Sequence, residues 1–557
     1  MRNFTNPTDA FAGLISANPI ANSTAAWDYA KPSLTPSTVV TVSVRDRFYK
    51  EIGVVGDYLN LTVDFSRNKV DGATIVLKHT DPVVPYVMQN YKAVVPVIIQ
   101  CGYLRWSGRV DTAEYALKDG KYTVTLQCKS DYEWLNKIMC WPNFLAPIQL
   151  QEPKEAVFIG PAVTCIKTLI AEQCFRLQTG MWEFVDEALS LDLNWQSWFG
   201  TTIMGGGNPE KMLMTPIVVV PTNPLTDTSE WISLSGRMDK IGTLIDQAVK
   251  DNGLLVQIIA WLPGDPQPKG LLIPLTSATI VVDVKDMSGV TGPTGSFIDG
   301  LVETAVDFES SVFADVFAPF LNPNNEYAPD GINIAPLIGV NFHKPWVVFV
   351  DNPRSGIREF KLISHSPLAH TVIGGGKSPQ WINDLINETL EFLIDAIQIL
   401  IGWSGIPSTL LDGTFDDVIL AFQELENFPR RQNLGPFGYP EYFQQTGASA
   451  YTLDEWFALM IAMYDTRGFN AIELAYDNGY PYTLGEDIFV GALASFYCRG
   501  VLYTDYIEKA TLTDNRTDRV KLQVTLGDGK PHENPIVKVQ RRLQSFQDFF
   551  QIVTLSS

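Results

Sequence analysis

A chain of 557 residues exceeds what one hydrophobic core organises, so two to four domains are expected. With 46% hydrophobic and only 18% charged residues, the composition excludes a disordered chain and describes a globular one with large buried or intersubunit surfaces. Sixty-two acidic against forty-one basic side chains give a formal charge of −21, which weighs against a protein built to grip nucleic acid but suits a conduit through which DNA slides without sticking, or simply ordinary solubility.

The chain opens with residues rich in Ala, Asn, Pro, Ser and Thr up to about Val39, which read as an extended arm. Met1 to Pro7 has no apolar run of a secretion signal. From Val39 to Lys78 the text alternates as strands do, with Val40, Val42 and Val44 against Thr41 and Ser43, and Leu59, Leu61 and Val63 against Asn60, Thr62 and Asp64. Pro82 to Tyr86 reads as a rigid link, and Val94 to Ile99 as an apolar strand that Pro96 assigns to a sheet edge.

A hairpin follows from Tyr103, turning at Lys118-Asp119-Gly120 and returning through Tyr122, Val124, Leu126 and Cys128 on one face. Near the other end Val501 to Glu508, the turn Asp514-Asn515-Arg516, and Val520, Leu522, Val524 and Leu526 repeat the pattern. In both, a Val or Ile near an Asp leads in, and the return strand holds a Leu-Gln step. The two hairpins read as related halves of one sheet, with the middle of the chain inserted.

After Cys128 the period turns helical, with Tyr132, Leu135, Ile138 and Met139 on one side of a short helix, and Gly160-Pro161 opens a second helix from Ala162 to Leu177. Arg237 to Lys250 is amphipathic, Asn252-Gly253 stops it, and Leu254 to Trp261 is an apolar strand. From Leu385 to Ile401 the polar stripe Asn387, Glu388, Glu391, Asp395 and Gln398 is too dense for a membrane span. The apolar remainder, Ile386, Leu390, Leu393, Ile397 and Leu400, packs within the subunit or forms a subunit interface. Thr452 to Glu455 is a capping box for a helix through Tyr464.

Little chemistry is legible. The six cysteines, Cys101, Cys128, Cys140, Cys165, Cys174 and Cys498, form no Cys-x-x-Cys pair and read as reduced, mostly buried thiols. Gly374-Gly375-Gly376-Lys377-Ser378 lacks the first glycine of a phosphate loop, where Thr371 stands, and reads as a tight strand-to-helix turn. His365 and His370 have no third ligand nearby, so no metal is expected, and Asp416-Asp417 reads as a solvated helix start. Thirteen Trp and twenty Tyr are scattered, which favours packing over sugar stacking. Lys538, Arg541 and Arg542 read as a small basic face, solvated or used for docking.

Several stretches resemble a known family. These are Leu104-Arg105-Trp106-Ser107-Gly108-Arg109-Val110, Ser130-Asp131-Tyr132-Glu133-Trp134-Leu135, Trp141-Pro142-Asn143 and Gly160-Pro161-Ala162, with Ser364 to Pro379 and Leu484-Gly485-Glu486-Asp487-Ile488 later on. Together they are similar to the minor tail proteins that form the tail-tip, or baseplate, hub of long-tailed phages of actinobacteria, of the mycobacteriophage siphovirus type. One departure is Phe144, where the family leads one to expect a second Pro.

The resemblance implies an α+β fold of tail-hub type, with β-barrel domains, one of them split between the chain ends, and helical insertions. It implies residues 1–38 as an extended arm, 39–140 as the first half of the hub barrel and 141–230 as a helical and loop connection. Residues 231–375 would be a second α+β hub domain, 376–470 a helical insertion, and 471–557 the closing half of the barrel with the C-terminal tail. It implies a structural virion protein without catalytic residues or cofactors, made in the bacterial host cytoplasm and placed at the virion tail tip as a homotrimeric ring. Its partners would be the distal tail protein, the tape-measure protein and other tip proteins, with DNA only in transit and a contact with the host envelope. A receptor- or cell-wall-glycan-binding tail protein and a tail-associated wall hydrolase are the alternatives.

Overall fold

The computed structural model describes residues 39–118, 120–146, 148–179, 216–271, 273–306, 332–343, 345, 347–351, 356–375, 377, 422–445, 453–478, 482–515, 520–527, 529, 537–538, 541–542 and 544–545. They fall into two compact units. The first draws on residues up to 361, 472–530 and 541 onward, the second on 362–471 and 531–540.

The first unit begins with β1 (Val40–Arg45), β2 (Glu51–Val55), β3 (Asn60–Ser66) and β4 (Gly72–Lys78). A one-turn helix α1 (Val84–Val87) precedes β5 (Pro96–Cys101), β6 (Leu104–Lys118) and β7 (Lys121–Ser130). The link expected at Pro82 to Tyr86 is therefore partly helical, because Pro85 sits in the first turn, where its missing N–H costs nothing. β5 lies between β1 and β6 and is not an edge strand. Pro96 is tolerated there as the first residue of the strand: it faces Arg109 of β6, while the β1 ladder starts only at Val97, opposite Val44.

A 3-10 turn spans Asp131–Asn136 where the period predicts an α-helix. It closes early because the chain is pulled extended just beyond it, with Met139 bridging Lys240 and the Cys140 N–H donating to the Asp239 carbonyl. Then come β8 (Ala156–Pro161), α2 (Ala162–Thr179), β9 (Ile217–Val219), β10 (Trp231–Gly236), α3 (Ile241–Asp251), β11 (Leu254–Trp261) and β12 (Thr279–Asp286). β8 pairs with β10, and β9 and β11 flank β12. Ile166, Leu169 and Ile170 of α2 meet Ile241, Ile245 and Val249 of α3 over Val256, Val282 and Val284, so the 3.6-residue stripes of both helices cover one sheet face. The C-terminal arginines also close onto this region. Arg541 pairs with Asp251 at 2.7 Å, and Arg542, only 8% exposed, pairs with Glu230 and donates to Asn252 Oδ1, which removes both from the solvated basic face expected of them.

After β13 (Val290–Thr291), β14 (Asn341–Phe342), β15 (Val348–Val350) and β16 (Ile357–His365) the chain enters the second unit. Here β17 (Thr371–Gly375), β18 (Phe422–Glu426), α4 (Phe428–Leu434), β19 (Glu441–Gln444) and α5 (Leu453–Asp465) build a small sheet, β18-β17-β19, under one helix. Val372 packs on Leu459, Ala462 and Met463. The chain returns through β20 (Phe469–Asp477) to β21 (Leu493–Cys498), β22 (Val501–Asn515) and β23 (Lys521–Leu526). The fold is thus α+β. Its main sheet runs β16-β20-β23-β22-β3-β4-β7-β6-β5-β1-β2, with β21 on β22 and β15 on β21.

Candidate functional site

Two strands of fifteen residues dominate the main sheet, β6 and β22. Each is entered through a two-residue turn from a strand ending in cysteine: Cys101 pairs with Leu104 and Cys498 with Val501. The turns need left-handed backbone, taken by Gly102 at φ 58° and by Arg499 and Gly500 at 51° and 86°. Each strand has a register break at its eighth residue. The β6 ladder passes from Val110 to Thr112, stepping over Asp111, and the β22 ladder from Ile507 to Lys509, stepping over Glu508. A bulge bends its strand and raises the local twist, so both strands turn at the same point.

The likeness extends to topology. β5-β6-β7-β4-β3 and β21-β22-β23-β20-β16 are the same five-strand order, and the chain visits the positions in the same sequence. The related hairpins read in the sequence are therefore parts of two copies of one module. Their Leu-Gln steps are not the matching positions: Leu126 faces Ala113, and the residue facing the matching Ala510 is Val524.

The two modules differ at one edge. Along its second half, Lys509 to Asn515, β22 pairs with β3 on the side away from β23. The matching half of β6, Thr112 to Lys118, pairs with β7, and among the described residues no strand covers its other side, because β5 stops opposite Arg109. Burial follows. Leu512 of β22 is 0% exposed, whereas its β6 counterpart Tyr115 is 47% exposed and Leu117 57%. At the far end of the sheet β16, the counterpart of β3, presents exposed Arg358, Glu359, Phe360 and Lys361.

The root of β6 is fixed by the motif residues. Arg105 forms a two-pronged ion pair with Asp265, its Nη2 at 2.8 Å from Oδ1, and the Ser107 hydroxyl accepts the Ala260 N–H at 3.0 Å, tying the strand to β11. Arg109 lies 4.8 Å from the Trp134 ring centroid and 3.8 Å from the buried Asp131 carboxylate. Burial pushes the Asp131 carboxyl up from its ordinary range, while Ser107, Arg109 and Trp134 pull it back. These side chains do no chemistry that the geometry reveals; they aim the hairpin.

The chain matches the family described as Siphovirus ReqiPepy6 Gp37-like protein over residues 41–528. It belongs to that family. The match takes in both sheet modules and the second unit. Minor tail protein Gp28 of Mycobacterium phage D29 is 24% identical over 573 residues, spanning 91% of this chain and 93% of its own. Gp28 of Mycobacterium phage L5, also a minor tail protein, is 24% identical over 575 residues, spanning 90% and 92%. Among solved structures, the 43 kDa tail protein of prophage MuSo2 from Shewanella oneidensis matches 89% of this chain and 99% of its own, at 8% identity and a TM-score of 0.36. The chain is a minor tail protein of siphovirus type, a structural component of the virion tail.

In this family member the helix face Ile386, Leu390, Leu393, Ile397 and Leu400 lies outside the described residues, as do Asp416 and Asp417. Gly374 and Gly375, read from the sequence as part of a tight turn, are the last residues of β17, and Gly374 is explained by packing. A Cβ on Gly374 would stand 2.1 Å from Glu455 Oε1 and 2.8 Å from Leu459 Cδ2, so α5 demands a glycine where β17 passes beneath it. His370 Nδ1 bonds Thr371 Oγ1 at 2.9 Å and His365 stacks on Phe469 with ring centroids 4.5 Å apart. Among the described residues no cluster of metal-ligand side chains forms, and all six cysteines are buried outside any disulfide, the thiols of Cys128, Cys140, Cys165 and Cys174 pushed up to about 12 chiefly by burial.

Sequence reasoning missed one feature of the second unit. Phe422, Phe428, Phe437, Tyr439, Tyr442 and Phe443 are all exposed, Phe437 to 97%, and Phe422 and Phe443 meet at 6.2 Å across the small sheet. The signal was Gly435-Pro436-Phe437-Gly438-Tyr439-Pro440, an aromatic-bearing turn, followed by an edge strand too short to bury its own rings.

Proposed function

We propose that this minor tail protein is the hub of the tail tip, a homotrimeric ring at the distal end of the tail that leaves an axial passage for DNA. It would join the distal tail protein and the tape-measure protein to the other tip proteins. The observation that supports this reading is the repeated module: one chain sets the same five-strand unit twice, side by side, in one sheet. Three copies would then set six modules around an axis, and a ring needs such repetition of one edge-to-edge contact. In this reading segments 39–140 and 471–557 are the two halves of a hub barrel, and Ile386, Leu390, Leu393, Ile397 and Leu400 add a second subunit interface. The charge of −21 would keep the passage from holding DNA. Light scattering of the purified protein over a range of concentrations tests the ring: a trimer mass is expected. Immunogold labelling of intact virions should mark the distal tail end, and label along the tail shaft would overturn the placement.

The exposed rings of the second unit favour a second reading, in which this part of the tip touches host cell-wall glycan, since aromatic faces stack on sugars. Retention on purified cell wall that is lost in Phe437→Ala with Phe443→Ala would support it. Equal retention of that variant would sink it.

A further inference from the structure

The internal junction between the two modules is a template for the junction between two chains. Inside the chain, the end strand of the first module, β3, lies along the second half of β22, from Lys509 opposite Ser66 to Asn515 opposite Asn60. The end strand of the second module is β16, and it closes the main sheet with only β20 beside it among the described residues. The acceptor that matches β22 is the second half of β6, and it is the one left bare. The chain therefore carries one donor strand, at the β16 end of the sheet, and one acceptor edge of the same kind on β6, three strands in from the other end.

We propose that β16 of one copy pairs along Thr112 to Lys118 of β6 in a second copy, repeating the β3–β22 junction between subunits. This rests on the hub-ring reading and names its interface. The occupant is a second copy because the donor that the acceptor lacks is present on the chain itself and cannot reach it there: six strands of the main sheet path, β20, β23, β22, β3, β4 and β7, lie between β16 and β6. The contact is head to tail, so it closes into a ring when the rotation per copy divides a full turn. A bare sheet edge is a template for another strand, and its main-chain groups would supply the affinity. Side chains fit the same scheme. Tyr115 and Leu117 are exposed where the covered counterpart Leu512 is buried, and Phe360 stands exposed on β16. Lys361 of β16 would also meet an edge that carries Glu114.

The test uses the full chain with a photo-reactive benzoylphenylalanine at position 115, and in parallel Tyr115→Lys with Leu117→Lys. Light should join two copies, with the cross-linked peptide mapping to residues 357–361 of the other. The double lysine variant should keep the circular dichroism and melting temperature of the parent and lose its oligomer peak. An oligomer that persists in that variant, or cross-links that map elsewhere, would overturn the strand junction and leave the ring standing. A parent protein that is monomeric at every concentration and gives no cross-link between copies in isolated tails would overturn the ring as well.

Discussion

Gly108 shows how much one residue of β6 is constrained. A Cβ there would lie 2.1 Å from the Lys129 carbonyl oxygen and 2.5 Å from the Trp106 ring, both fixed in the sheet. Gly108→Ala should cost roughly 1–3 kcal/mol through overpacking, read as a lower urea midpoint with an unchanged slope. Glu172 of α2 makes a pH prediction. Burial raises its carboxyl from 4.5 to about 7, so between those values the folded state holds a proton that the unfolded chain has released. Stability from this group is therefore full below the lower value and falls as pH rises toward 7. Glu172→Gln should flatten that fall and raise the melting temperature at pH 8 while leaving it little changed at pH 4. Positions like these divide by legibility. Buried Val124, Leu126 and Cys128 follow from alternation alone. The need for glycine at position 374 does not, because it depends on where α5 passes, and no local pattern encodes that approach.

Elements were legible where their own period set them. The β6–β7 hairpin, α2, α3 and β11 stand close to where strand alternation and helical spacing put them. What failed was partnership over long sequence distances. Pro96 argued for an edge by a local rule, yet its strand is interior because the rule applies to a missing donor and the ladder simply starts one residue later. Arg541 and Arg542 looked solvated because their acceptors lie 290 residues earlier, on the end of α3. That clamp is testable as an element. Arg542→Met buries an apolar side chain beside the half-buried Glu230 and removes that cation, which should cost about 1–3 kcal/mol in chemical denaturation, whereas Arg542→Met together with Glu230→Gln should recover much of the loss.

At the scale of the molecule, like charge opposes assembly. Chains of formal charge −21 repel one another, and added salt screens that repulsion while leaving strand pairing and apolar contacts in place. Self-association of the purified protein should therefore strengthen as sodium chloride rises from 20 to about 200 mM, where the Debye length falls below roughly 10 Å. A weakening over that range, read by sedimentation, would mean that ion pairs across the interface carry it. The whole-molecule plan was legible only in outline. Hairpin text at both ends of the chain pointed to related halves, but the shared strand order depends on which strands lie side by side, and the β22–β3 pairing joins residues more than four hundred positions apart.

The second unit enters the chain between β16 and β20, where the first module has only the short turn from Arg67 to Asp71. A hairpin turn holds its two ends close together, and the entropy of closing a loop grows only with the logarithm of its length, so a whole folded unit costs the sheet little more than a few residues. Such a position is a cassette slot. On the tail-tip reading, what is carried there can change without altering the strands of the main sheet. Replacing residues 366–468 with a five-residue turn should leave the sheet folded, with its far-ultraviolet strand signal and its self-association intact.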